Sequence, residues 1–488
     1  MPSSLLGGAS LFIFGLPAFQ LLNAISPFIK EKMTFSFFIR SRKFKLFRMK
    51  SRLVCRALKA SWTPVLLVLL VLAEGAFPAR GWAQSIRDPT FLFTGTVSPY
   101  FLPINILREP LEGRGLNAGP VILHPFLGVA QAFSDNAFAT KKDRKSDTVT
   151  TIAPGMQAYY PFLDRHFVLV DYRAAQRLNY RFSGNNALNQ EVLSRVSLSF
   201  PVGLKVNLQG GHTEGFDARG SELDIQLQDQ TTWHTNFFYG QAEYLGSKTG
   251  AQVRFRTIKF DYENNGQGVA RDVLRNSVSL STYIRATKKS YALLGFGINT
   301  TTFDDNKQLD SFAYTINTGF RVPASDLVTG ELQVGVTVLN FDRAPLSTPP
   351  ADTRLSSGGN GSKRLFVNGN INWTPTSRLS VNFRPFRRIG QSAVFNSSTF
   401  TQTGAFVSVN QLLPNRFGLN GIVYYTYNEF SGLSNRYDNV YQARVGLEYR
   451  TVQWLGFQLQ YLYQGRQSTD SRFSYYANGV MFSIQGLL

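Results

Sequence analysis

At 488 residues the chain is long enough for several soluble domains, yet only 17% of it is charged, 14% is aromatic and 41 positions are glycine. A mean hydropathy of −0.12 does not exclude a membrane protein, because in a β-barrel only alternate residues meet lipid. The formal charge is +20, but the first 83 residues carry twelve Lys and Arg against two Glu and supply +10 of it, so no nucleic-acid partner is expected.

Residues 1–48 are apolar and then basic, with Glu31 the single acidic counterweight. They read as an extended leader, with Met33 or Met49 as the expected start. Residues 49–83 have the order of a secretory signal: a basic region (Lys50, Arg52, Arg56, Lys59), an apolar run from Val65 to Ala73, then small residues Gly81 and Ala83. The run is short for a bilayer-spanning helix. Cys55, the one cysteine, falls inside this signal, which leaves the rest of the chain without disulfides, thiolate nucleophiles or cysteine metal ligands.

Residues 84–119 contain proline and glycine without a sustained period and read as a periplasmic lead-in. From there residues 120–488, opening with "VILHPFLGVAQAF", alternate segments of strand length with connections of two kinds. One kind is short: Pro161 to Asp164, Pro201, Gly246 to Lys248, Thr287-Lys288, Pro323 to Ser325, Pro375-Thr376, Pro414-Asn415 and the junction near Thr451. The other is longer and rich in Asp, Asn, Gly and Ser, as in "SDNAFATKKDRKSD", "ENNGQGVARD" and the segment from Asp342 to Lys363. Long and short alternate strictly, the asymmetry of external loops and periplasmic turns. Nine loops and eight turns join eighteen strands. The expected fold is therefore all-β: a transmembrane antiparallel up-and-down β-barrel of about 18 strands (16–20), both termini periplasmic.

The two-residue rhythm is clearest near the C-terminus. Tyr441, Ala443, Val445, Leu447 and Tyr449 share one parity, and Gln442, Arg444, Gly446, Glu448 and Arg450 the other. Leu455, Phe457, Leu459, Tyr461 and Tyr463 repeat the pattern against Gly456, Gln458, Gln460 and Gln464. Successive strand side chains point to opposite faces, so the apolar sets face lipid and the polar sets face water. The last strand places Val480, Phe482, Ile484 and Leu488 on one parity, as a signal for the barrel-insertion machinery should, although Gly486 interrupts it.

The same parity argument gives the pore-lining candidates Asp171, Arg173, Arg177, Arg195, Arg254, Arg256, Arg285, Arg384, Arg444 and Glu448, together with Lys205, Asn207, Gln209, Asn368, Asn370, Asn382 and Gln442. A charge on the lipid face near mid-bilayer would cost about 2–4 kcal/mol, so charge and parity support each other. Arginine dominates the set, and a positive wall concentrates anions. Pairing of these arginines with Asp171, Glu448 and loop carboxylates would instead give a wall with no preference.

The opening "GPVILHPFLGVAQAFSDNAFA", followed by "SDTVTTIAPGMQAYYPF" and "VLVDYRAAQRLNYRF", resembles the first strands of the family named putative β-barrel porin type 2. The residues that carry the resemblance are Pro125, Phe126, Val129, Phe133, Asp135, Asn136, Phe138, Asp147, Thr148, Pro154, Gly155 and Tyr180. It implies an outer-membrane barrel of Gram-negative bacteria, some members of which accompany exopolysaccharide export. It carries over no catalytic residue. Asp135 and Asn136 are expected to shape the first external loop through turn hydrogen bonds, and Lys141, Lys142, Arg144 and Lys145 nearby disfavour a cation there.

Enzymatic chemistry is not expected. The histidines after the signal are His124, His166, His212 and His234, and none sits beside a nucleophile elbow or pairs at helical zinc spacing. His212 with Ser221 and Asp217 is the one arrangement a triad could use, and "GGNGSK" lacks the spacing of a phosphate loop. No cofactor or metal is expected. The reading is an outer-membrane porin or conduit for polar or anionic solutes or an exported exopolysaccharide, in contact with outer-membrane lipids. A closed structural or surface-binding barrel is the alternative, and an outer-membrane hydrolase a further one.

Cleavage is expected after Ala83. N-terminal sequencing of the protein from the outer-membrane fraction should then begin at Gln84 or within a few residues of it. A retained Val65–Ala73 segment would overturn the signal assignment.

Overall fold

The computed structural model describes residues 115–216, 231–263, 272–305, 307–323, 325, 327–341, 361–391, 397–432, 436–452 and 454–487. They form one antiparallel sheet that closes on itself. A three-residue strand, β1 (Leu116–Ala118), precedes eighteen long ones: β2 (Val121–Ser134), β3 (Asp147–Phe162), β4 (His166–Asn179), β5 (Ala187–Ser199), β6 (Leu204–Phe216), β7 (Thr232–Leu245), β8 (Thr249–Glu263), β9 (Val273–Arg285) and β10 (Tyr291–Phe303). There follow β11 (Ser311–Val322), β12 (Val328–Phe341), β13 (Gly361–Thr376), β14 (Leu379–Gln391), β15 (Ser397–Leu412), β16 (Phe417–Gly432), β17 (Tyr437–Val452), β18 (Leu455–Ser468) and β19 (Tyr475–Leu487). Each long strand pairs with the next, and β19 returns to β2. No helix among the described residues is long and apolar enough to cross a membrane; this fold crosses with strands.

Burial alternates along each strand. On β10, Tyr291 and Leu293 are buried while Leu294 and Phe296 are exposed; on β17, Val445 and Leu447 are exposed and Arg444 is buried. The outward set is the apolar one, as lipid contact requires. Two aromatic pairs bound it on β16 and β17: Phe417 against Tyr449 at 4.6 Å near one end, Tyr425 against Tyr441 at 5.3 Å near the other. Tyr441 and Tyr449 are eight residues apart, about 27 Å along a strand, which a tilt of ~40° reduces to roughly 20 Å across the membrane.

The seam between the first and last strands decides whether the barrel closes. β19 covers β2 from Phe126 to Ser134, and the remaining edge, Val121 to Leu123, is covered by β1. The lead-in thus contributes a strand where it was read as irregular, because Gly119, at φ +66°, allows the chain to double back. Pro125, which has no N–H to leave unpaired, falls where the edge passes from β1 to β19. Beside it, Phe126 lies so close to Gly155 that a Cβ there would run into the ring.

At the loop end a clasp holds the same seam. Asp135 accepts hydrogen bonds from the backbone and side chain of Asn478, both at 2.8 Å, and from Arg144 at 2.5 Å. The Arg144 guanidinium lies 4.0 Å from the Tyr476 ring centre. Asn136 donates to the carbonyls of Thr140 (2.7 Å) and Tyr476 (2.8 Å). Burial would raise the Asp135 carboxyl, but the bonds from Asn478 and Arg144 outweigh it and hold the group below its ordinary value. Its contribution to stability is therefore full above the ordinary carboxylate range and lost as pH falls through the lowered value.

Replacing Asp135 by Ala should cost about 1–3 kcal/mol at neutral pH, the range for lost charge-assisted bonds. Urea titration of the barrel in lipid vesicles would measure it. The gap from the unmodified protein should narrow in acid; an equal cost at every pH would show that the carboxylate charge is not what matters.

Candidate functional site

Because register fixes facing, the inner wall can be built strand by strand. On β4, Asp171, Arg173 and Arg177 point inward, between outward Val170, Tyr172 and Leu178. Asp171 accepts from Arg173 Nε at 2.9 Å and Nη2 at 2.5 Å, and from Gln157 at 3.3 Å. Glu191 stands opposite Arg173 on β5, so in this part of the wall one guanidinium faces two carboxylates. Arg177 donates to Asn179 and lies over the Phe216 ring. Arg195 faces Leu169 on β4 and Gln209 on β6, both inward.

Arg254 and Arg256 follow on β8, on the face opposite Val253 and Phe255, and Arg254 lies 3.9 Å from Glu331. Arg285 donates to the Tyr291 hydroxyl at 3.0 Å. Arg384 donates to Asn382 at 2.6 Å and lies over the Phe406 ring. Arg444 is buried, and among the described residues its Nη1 has no hydrogen-bond partner. Glu448 pairs with Arg450 at 2.7 Å. The ten candidates therefore share the inner face but not one point: some pair with carboxylates, and Arg177, Arg285 and Arg384 donate to uncharged groups.

Several inward arginines were missed from the sequence, among them Arg321 on β11, Arg466 on β18, Arg275 and Arg388. Arg275 lies on β9 two residues beyond Ser277, the register partner of Arg256, which makes Arg256 and Arg275 diagonal neighbours. Arg388 comes from β14, where it donates to Gln402 at 2.8 and 2.6 Å. The three guanidiniums lie within coulombic reach of one another, in the middle and loop-end half of the barrel. Parity could have found both, since Arg275 and Arg388 alternate with Leu274 and Ile389. Conversely, Arg387 faces outward and bonds to Thr403 at 2.6 Å near the loop end of its strand.

The motif residues serve the wall rather than the lumen. Asp147 accepts from the backbone of Thr148 (2.8 Å) and Arg181 (2.9 Å), tying β3 to the end of β4. Phe138 packs edge-on against Phe182 at 4.8 Å. Pro154 is exposed on the outer face, in a stretch where the β3–β4 ladder is interrupted. Tyr180 is exposed just beyond β4.

The arrangement considered for hydrolysis is not on the inner wall. His212 faces outward on β6, stacked 5.9 Å from His234 and bonded to Asn236 and Glu214; Asp217 and Ser221 lie outside the described residues, as does most of the segment from Asp342 to Lys363. His234 meets Asp261 at 3.2 Å and Glu263 at 3.1 Å, so a polar row crowns the apolar band here. Asp261, Asp272 and Asp304 bring carboxylates within 4.8 Å of one another. Lys259 already supplies a cation to this group, 2.8 Å from Asp261 and 3.7 Å from Asp304. Burial, opposed by the hydrogen bond from Tyr262 and assisted by Asp261 and Asp304, pushes the Asp272 carboxyl up.

Among solved structures the chain is similar to the outer membrane protein OpdK from Pseudomonas aeruginosa, at 12% identity over 75% of this chain and 98% of that one, with a TM-score of 0.40. It is similar to the copper transporter OprC at 6% identity over 77% and 82%, TM-score 0.41. A bacterial polysaccharide outer membrane secretin aligns at 10% identity over 75% and 98%, TM-score 0.31. No curated protein matches. The family model described as Putative beta-barrel porin 2 matches residues 109–486, nearly the whole barrel, and the chain belongs to that family of bacterial outer-membrane β-barrels.

Proposed function

We propose that this barrel is a passive, non-enzymatic conduit for polar solutes that prefers anions, with its short-turn end toward the periplasm. The observation that carries the reading is the convergence of Arg256, Arg275 and Arg388 from β8, β9 and β14. Like charges repel, so a wall that gathers three guanidiniums stores a positive potential, and a low-dielectric surround strengthens it. A passing carboxylate or phosphate relieves that repulsion; a cation increases it. Arg384 and Arg444 add to the same face, whereas Asp171 with Arg173 and Glu448 with Arg450 cancel locally. An uncharged polysaccharide would accept hydrogen bonds from the same arginines but gain nothing from their net charge.

The orientation follows from loop length. The longest connections, such as those between β2 and β3, β6 and β7, and β12 and β13, lie at one end, and the start of β2 and the end of β19 lie at the other, where no connection exceeds five residues, as in outer-membrane barrels generally. A cysteine at Lys142, in the first long loop, should react with an impermeant reagent in intact cells, whereas one at Asp164, in a short turn, should not. The reverse pattern would invert the barrel.

Selectivity is tested by reversal potentials across a planar bilayer under a salt gradient. The unmodified protein should favour anions, most strongly at low salt, where screening is weakest. The triple variant Arg256→Gln, Arg275→Gln, Arg388→Gln keeps polarity while removing three charges, and its reversal potential should move toward cation preference. A conducting unmodified protein that already favours cations would overturn the reading.

A further inference from the structure

Near the short-turn end, six inner-face side chains meet across the lumen rather than along the wall. Arg321 on β11 donates through Nη1 and Nη2 to the Glu243 carboxylate on β7, at 2.8 and 3.0 Å. Gln252 on β8 donates to the same carboxylate at 2.5 Å. The Tyr283 hydroxyl on β9 is 3.2 Å from Gln252 and 3.1 Å from Glu331 on β12. Arg254 and Arg321 each come within 3.9 Å of Glu331.

The strand order makes these contacts unusual. β8, β9 and β10 separate β7 from β11, so Glu243 and Arg321 are four interstrand spacings apart, roughly 19 Å of wall at about 4.8 Å each. Their charged groups nevertheless touch. The wall must therefore turn tightly around β9 at this level, bringing the inner faces of β7 and β11 toward each other. The enclosed space is filled: Tyr283, Tyr291 and Leu293 pack there at 1%, 4% and 2% exposure, and the Arg321 guanidinium lies 5.1 Å from the centre of the Tyr283 ring.

We propose that Glu243, Arg321 and Glu331 form a strut that closes this sector of the lumen and sets the size of solute the short-turn mouth admits, with Arg321 as the residue that determines it. The proposal rests on the conduit reading above and adds a limit of size to one of charge. Two carboxylates and two guanidiniums balance, so the strut selects by contact and leaves the arginine potential elsewhere unopposed. Bidentate pairing gives it a fixed geometry, and the packed tyrosines beneath keep it from collapsing to the wall.

The test replaces both ends of the central pair, since removing one alone would strand a buried charge. The double variant Glu243→Ala, Arg321→Ala, checked for folding by heat-modifiable gel mobility, should admit larger saccharides in liposome swelling and raise the rate for the largest sugar severalfold. The variant lacking Arg256, Arg275 and Arg388 should keep the original size limit. Separately, cysteines at positions 243 and 321, with Cys55→Ser, should be joined by a short bifunctional thiol reagent in the otherwise unmodified barrel. Failure to cross-link, or an unchanged size limit in the folded double variant, overturns the strut. If the unmodified protein passes nothing but the double variant passes sugars, the strut stands as a closure and the open-conduit reading falls; if neither passes anything, both fall.

Discussion

Inside a bilayer every backbone N–H and C=O must find a partner within the protein, because an unsatisfied group costs several kilocalories per mole and no water is present to relieve it. Everything else in this barrel follows from that condition. It permits strands only if the sheet has no free edge, and so places the heaviest demand on the one junction that chain order does not supply, between β19 and β2. Here β19 stops at Leu487↔Phe126 and β1 covers Val121 to Leu123. The Asp135 and Asn136 bonds to Asn478 and Tyr476 fasten the other end of the same junction. Residues that resemble a family motif in sequence are thus, in space, residues that close the cylinder: Pro125 in the gap, Phe126 over Gly155, Asp135 and Asn136 at the clasp.

Closure also fixes which chemistry is available inside. With the ladder complete, side-chain direction is set by parity, and the wall becomes a surface with lipid on one side and polar groups on the other. Charges on the inner side need not be paired to be tolerated, since water can reach a lumen where it cannot reach the outer band. The wall uses this freedom unevenly. On β4 and β5 Arg173 is paired with Asp171 and faces Glu191, while Arg256, Arg275 and Arg388 are held near one another although they repel.

Much of this was legible in the sequence, and the limits have a clear cause. Alternation along one strand is local, so the inward position of Arg254, Arg256 and Arg444 and the alternation of long and short connections could be read directly. Eighteen strands followed from counting those connections. The pairing of Asp135 with Asn478 was not legible, because it joins residues 343 positions apart and depends on where the cylinder closes. Nor was the meeting of Glu243 with Arg321, since parity says that both point inward but not that the wall bends to bring them together. β1 was hidden in a stretch too short to show a rhythm. Arg387 shows the converse: parity places it outward, where its hydrogen bond to Thr403 and its position near the rim make a charge tolerable.

The two polar systems of the lumen act at different ranges, and their order along the axis matters. An electrostatic potential from Arg256, Arg275 and Arg388 extends about a Debye length, ~8 Å at physiological salt, whereas the contacts of Arg321 with Glu243 act only on a solute that touches them. On the proposed orientation, a solute entering from the loop end meets the field first and the strut second. Reversing that order would make the size limit act on every solute and the field only on those already admitted. On the proposed anion preference, a neutral strut does not oppose the field, because an excess of carboxylate at the mouth would raise a barrier for anions. On those two proposals, the full pairing of Arg321 and the like-charge neighbours of Arg256 divide the labour between contact and field.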